Sequence, residues 1–240
     1  MGNEMENWVS HGLSIDDETR IKTVEQLEQW IEEVGFLPLF RNEIGGFSVE
    51  EHTAKDHWWS GNNDVDPWQW REIITKRGNI AYGKFFHNRA GFISKEWFPH
   101  IANYRRDGYD FDSLYEDGKA AYRLKKIMDL FEQSDLLASH EMKTKAGFGK
   151  GGEKNFDGTI TKLQMQTYLI VHDFKRKINK KGAEYGWPVA IYATPEYLFG
   201  EDIVQSQYTV PANESLEKIV KHVIKLYPNE DRKNILKVVK

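Results

Sequence analysis

Val24, Leu27, Ile31 and Val34 recur three and four positions apart, on a stretch that opens at Thr23 with Gln26 three residues later and closes at Gly35. That spacing predicts an amphipathic, capped helix over residues 23–34. The mixed polar residues 1–20 before it show no period and read as a loosely held arm. FLPLF and IGGF, with Pro38 and paired glycines, read as turn or edge material, and Ser48 with Glu51 as the start of a helix over VEEHTAKDHWW. DPWQWR is a clearer start: Asp66 suits the N-cap, Pro67 the first helical position and Gln69 the third. Trp70, Ile73, Ile74 and Arg77 then share a face before Gly78 ends the helix. NIAYGKFF reads as a strand, Ser94 as the start of a helical stretch around EWFPHIANYRR, and Asp112 as the start of a helical turn, DSLYEDG.

Beyond Gly118 the pattern predicts a helix over 119–132 with Tyr122, Ile127, Leu130 and Phe131 inward. A short helix capped by Ser139 and a turn at GFGKGG follow. Phe156, Ile160, Leu163, Thr167 and Ile170 form the stripe of a third, core-facing helix. YLIVHDF and WPVAIY are apolar and β-branched enough to pair as strands around the loop KRKINKKGAEYG. Three helices and a hairpin with a basic tip are the outline of a winged helix, a fold whose third helix enters the major groove while the wing touches backbone. The expected class is therefore α+β, mainly helical. The expected units are an arm (1–20), a Trp-rich α+β domain (21–117), a winged-helix domain (118–200) and a helical extension (201–240) docked by Leu216, Ile219, Val223 and Leu226. No internal repeat is visible in the sequence.

Composition narrows this to a soluble, cytoplasmic protein. The 240 residues are 40% apolar and 29% charged, with no apolar run near the ~18 to 20 residues of a membrane span. The start MGNEMENWVSHG lacks a secretory pattern. Without cysteine there are no disulfides, thiolate metal sites or cysteine nucleophiles, and the scattered histidines lack HExxH spacing, so no metal is expected. Net charge is -4, yet between Lys143 and Lys181 ten basic residues face three acidic ones. Such a division predicts one face for an anionic partner, duplex DNA in this fold. Lys150, Lys154, Lys162, Lys175, Arg176, Lys177, Lys180 and Lys181 are the expected phosphate contacts.

Four of the eight tryptophans, Trp58, Trp59, Trp68 and Trp70, fall in WWSGNNDVDPWQWR. Asp66 and Trp70 read as cap and core, which leaves Trp58, Trp59 and Asp64 as the candidate pocket, with Lys84, Arg105 and Arg106 able to line an anion site. A carboxylate such as Asp64, its pKa raised by apolar neighbours, could activate water while rings stack on a base. GFGKGG matches neither a P-loop nor a dinucleotide fingerprint, and no cofactor is expected.

WWSGNNDVDPWQWR, IAYGKFFHNRAGFISKEWFP, SHEMKTKAGFGKGGEKNFDGTITKLQMQTYLIVHDF and ATPEYLFG resemble the AlkZ-related family, relatives of the AlkZ/YcaQ winged-helix DNA glycosylases. The resemblance covers most of residues 24–200. It implies tandem winged-helix units and a relation to enzymes that remove alkylated or crosslinked bases from DNA. Those glycosylases position water with a Gln-apolar-Gln motif in their N-terminal part. This chain has Gln164-Met165-Gln166 in its second half, where residues two apart on a helix point ~200° from one another, so Gln164 and Gln166 are catalytic candidates only if the segment is extended. On a helix, Gln164 and Gln166 are expected to flank the buried stripe, with one of them touching DNA or solvent. Three functions remain open at this point: a winged-helix DNA-binding protein, a non-enzymatic regulator binding a small molecule in the Trp-rich domain, and a hydrolase acting at Asp64.

Overall fold

Helix α1 (Val24–Val34) starts as the sequence predicts: Thr23 accepts the Gln26 N–H at 3.3 Å, and the Gln26 side chain reaches back to the Lys22 N–H at 2.7 Å. In this computed structural model, which describes residues 10–178, 181–182 and 184–240, α1 leads into the edge strand β1 (Phe36–Pro38). Ser48 and Glu51 make the expected cap contacts, but only single 3-10 turns follow, at Glu50–His52 and Lys55–His57. The reason lies in Glu50. Its buried carboxylate takes the N–H groups of His11 and Arg41, which ties residues 10–21 and the loop after β1 to this segment; residues 1–9 of the expected arm lie outside the described residues.

Next come α2 (Pro67–Arg77), β2 (Ile80–Phe86), β3 (Arg89–Ser94), α3 (Phe98–Arg106) and α4 (Phe111–Glu116). Asp110, two residues earlier than expected, caps α4 through the Ser113 N–H. Then follow α5 (Tyr122–Met128), β4 (Leu137–Ala138), α6 (Ser139–Lys145), α7 (Phe156–Met165), β5 (Ile170–Ile178) and β6 (Glu184–Ala193). Tyr122 is exposed, and Leu124 with Ile127 forms the inward face of α5. The predicted third-helix stripe is cut at Gln166, because Thr167 adopts φ +64° and Ile170 already belongs to β5. The chain ends with α8 (Pro195–Phe199), α9 (Glu201–Val204), α10 (Ala212–Leu226) and α11 (Arg232–Val239).

All six strands form one antiparallel sheet in the order β1-β3-β2-β5-β6-β4. The order reads alike from both ends, because a helix, a short strand, further helical turns, a helix and a hairpin occur twice. In each pass the short strand pairs with the last strand of its hairpin. Phe36 lies opposite Ile93, which lies opposite Ala81; Leu137 lies opposite Tyr192, which lies opposite Val171. The two halves meet at Tyr82 and Val171. The repeat is invisible in the sequence because it is one of element order and pairing, while the packing side chains differ.

Two apolar clusters result. The larger joins Leu27, Phe36, Phe85 and Phe98 to Ile219, Val223 and Val239, so α10 and α11 pack on the N-terminal half. The smaller joins Phe111 and Leu114 to Leu124, Met142, Ile160 and Leu163. Between them the long helices cross over: α2 packs on β5 and α7 on β2.

A cation-lined groove beside helix α7

The two crossings end differently. At the first, the Arg71 guanidinium lies 3.8 Å from the Trp68 ring and 4.2 Å from that of Phe174, and Arg71 pairs with Glu72 at 3.1 Å. Flat, weakly hydrated guanidinium between two ring faces fills the space that would otherwise open there. Burial raises the pKa of Glu72, against the lowering influence of Arg71 and Arg176.

At the second crossing the space stays open. Gly158, Thr161, Lys162 and Met165 of α7 form one wall, Lys84 and Asn88 of the β2–β3 hairpin another, and Tyr104, Arg105 and Lys240 complete a groove of about 740 Å³ with Gln166. Its ionisable cations are Lys84 of β2, Arg105 of α3, Lys162 of α7 and Lys240 just after α11, and among the described residues no carboxylate side chain lines it. A neighbouring hollow, lined by His87, Arg232, Lys233, Leu236, Lys237 and Lys240, continues the basic surface.

Arg105 is the unusual member. Its Nη2 donates to the Phe85 carbonyl at 2.5 Å and to that of Val239 at 3.2 Å, while Nε and Nη1 are buried without a hydrogen-bond partner. No carboxylate among the described residues pairs with it, and burial pushes its pKa down to about 10, which leaves it charged at neutral pH. An uncompensated buried charge is costly, so the floor of the groove favours an anion. Arg106, one residue on, is the opposite case. It is buried and bonded to Glu196, Tyr208, Thr167 Oγ1 and the Thr167 carbonyl, so it lines no anion site and locks α3 to α8 instead.

The glutamines separate as the helix geometry required. Gln164 is buried, its Oε1 accepting the Lys84 N–H at 3.0 Å and its Nε2 donating to the Ile160 carbonyl. A Cβ at Gly83 would stand 3.2 Å from that Oε1 and 2.9 Å from the Phe85 ring, so a side chain there would crowd the contact. Gln166 faces the groove, with its Oε1 buried and unpartnered.

The Trp-rich segment is mostly accounted for by packing. Trp58 is buried and its Nε1 donates to Thr53 Oγ1; Trp59 is half-buried against Trp58 and Trp68. Asp66, not Asp64, organises the loop: fully buried, it accepts the N–H groups of Trp59, Gly61 and Trp68. Asp64 is exposed, outside the apolar surroundings expected of a water-activating acid, and no residue of 58–71 lines the groove. The carboxylate of that region whose pKa burial raises is Glu72, which carries no local sequence signal beyond its place on α2.

Of the expected phosphate contacts, Lys162 is in the groove. Lys150, Lys154, Lys175, Arg176 and Lys181 are exposed along the turn before α7 and the β5–β6 hairpin. Lys177 lies on β5 opposite Tyr185, and Lys180 lies outside the described residues. Lys233, Lys237 and Lys240 carry no signal in the sequence because they flank the core face of a helix that begins 67 residues after α7 ends. Asp112, Asp129 and Glu132 approach one another closely enough to hold a cation, but the Lys125 ammonium already sits against all three. Among the described residues no helix is long and apolar enough to cross a membrane.

The arrangement is that of an α+β protein with an antiparallel sheet and a strongly basic groove. The family model described as AlkZ related matches residues 21–240, and the chain belongs to the AlkZ-related family. Membership relates it to DNA glycosylase-like proteins. No curated protein and no solved structure matches the chain significantly.

Proposed function

We propose that this chain is a tandem winged-helix protein that binds DNA, with the groove beside α7 as its main phosphate-contacting surface. The twice-repeated order of helix, strand, helical turns, helix and hairpin supports the fold. In each repeat the short strand returns to the far strand of its hairpin, as winged helices require. The observation that carries the function is the convergence of Lys84, Arg105, Lys162 and Lys240 on a groove that, among the described residues, no carboxylate side chain lines, in a chain whose net charge is negative. Lys175, Arg176 and Lys181, exposed on the β5–β6 hairpin, are proposed as further phosphate contacts.

The test is duplex binding by fluorescence anisotropy across a range of salt. Each neutralised phosphate contributes about 0.9 to the slope of log affinity against log salt, so Lys162→Glu and Lys84→Glu should weaken binding and flatten that slope by about 1 each. Absent or salt-independent binding would overturn the proposal.

A further inference from the structure

We infer that the groove beside α7 takes the terminal phosphate of a nucleotide, a phosphomonoester, in preference to an internal phosphodiester. The inference rests on the DNA-binding reading for its setting but is carried by the shape and chemistry of the site. A phosphodiester path is met by cations strung along a surface. Here Lys84, Arg105, Lys162 and Lys240 come from four elements and converge on one concavity. A phosphomonoester carries about -1.5 to -2 charges at neutral pH, because its second pKa is about 6, and presents three free oxygens. An internal diester carries one charge and two such oxygens, with sugars on both sides that limit how many of the four cations it can meet at once.

The floor adds two further features. Arg105 lines the groove with a positive charge that no carboxylate among the described residues pairs with, its Nε and Nη1 lying beneath the surface without a hydrogen-bond partner. A dianion compensates such a charge better than a monoanion. Gln166 also lines the groove, and a carboxamide there can hydrogen-bond a sugar hydroxyl or base edge that a phosphate alone lacks. The half-buried Tyr104 ring on the same wall offers an apolar face for the nucleoside. The site therefore fits phosphate plus nucleoside, whether at the end of a DNA strand or as a free mononucleotide.

The experiment compares the affinity of the protein for nicked duplexes with a phosphate or a hydroxyl at the 5′ and at the 3′ side of the nick. Deoxynucleoside monophosphates and inorganic phosphate serve as competitors. The expected result is binding about tenfold or more tighter to one phosphorylated terminus than to its hydroxyl counterpart, the scale of a charge-assisted contact. Lys84→Ala and Lys162→Ala, both at exposed positions, should erase that preference while circular dichroism stays native. Mononucleotide binding with no duplex binding would support the pocket with a free nucleotide as its ligand, and would sink the DNA reading alone. Equal binding to phosphate and hydroxyl ends, with no mononucleotide binding, would overturn the inference and leave the DNA reading standing. A preference that survives both lysine substitutions, or competition by inorganic phosphate equal to that by the mononucleotide, would also overturn it.

Discussion

Gln164 and Lys84, 80 residues apart, are joined by a 3.0 Å hydrogen bond from the Lys84 N–H to Gln164 Oε1. The bond fixes α7 on β2 at the point where the two halves of the protein cross, and it sets the wall of the groove. Gln164→Leu leaves that N–H unpaired and should destabilise the fold by about 1 to 3 kcal/mol. Urea unfolding is the check, and an unchanged midpoint would show that the bond contributes nothing.

Asp66 and Asp64 offer a paired contrast. Asp66→Ala removes a helix cap and leaves the N–H groups of Trp59 and Gly61 without an acceptor, so a loss of at least about 2 kcal/mol is expected. Asp64→Asn, at an exposed position, should stay within about 0.5 kcal/mol of the parent. Thermal unfolding of both variants distinguishes the roles, and the reverse order of effects would refute this account of the loop.

Arg106 sits in a buried network with Glu196, Tyr208 and Thr167. Arg106→Met strands the Glu196 carboxylate and the Thr167 carbonyl and should cost about 3 kcal/mol or more. Arg106→Lys should also destabilise, since an ammonium cannot reproduce the guanidinium fork. A lysine variant as stable as the parent would mean that only the charge matters.

Stability should fall on mild acidification. Burial lowers the pKa of His100, His172 and His222 below the ordinary 6.5. His100 Nε2 faces Lys218 Nζ at 2.6 Å, and His222 stacks on Trp97 with Nε2–H toward the Val34 carbonyl. With folded pKa values below the unfolded one, the unfolded chain binds more protons as pH drops through 6.5, so this stability is present above that pH and lost below it. The melting temperature should be flat above about pH 7 and decline toward about pH 5, and less steeply in His100→Gln and His222→Gln. A rise over that interval would contradict the assignment.

Local signals carried much of the fold. The caps at Thr23 and Asp66, the stop at Gly78 and the two strands around the basic loop are all set by short-range backbone chemistry, and the structure reproduces them. The same rules failed where distant groups intervened. The helix expected after Ser48 is held to single turns by the contacts of Glu50 with His11 and Arg41, and Asp110 displaces Asp112 as a cap. The strand Arg89–Ser94 was masked by the helical reading from Ser94 onward, because its inward face is defined only by β1 and β2 on either side.

For the site, the sequence determined residue types: a basic second half, a Trp-rich segment, and two glutamines that on a helix cannot share one water. Periodicity and charge counting reach that far because they depend on neighbours within a turn or a strand. Only the tertiary structure decided that Arg105 meets the groove while Arg106 is consumed by Glu196. It also decided that Gln164 is structural while Gln166 faces the groove, and that Lys240 joins Lys84 and Lys162. The physical reason is that an anion site is a sum of fields from side chains brought together across the sheet, and their convergence depends on how α2 and α7 cross onto the opposite half.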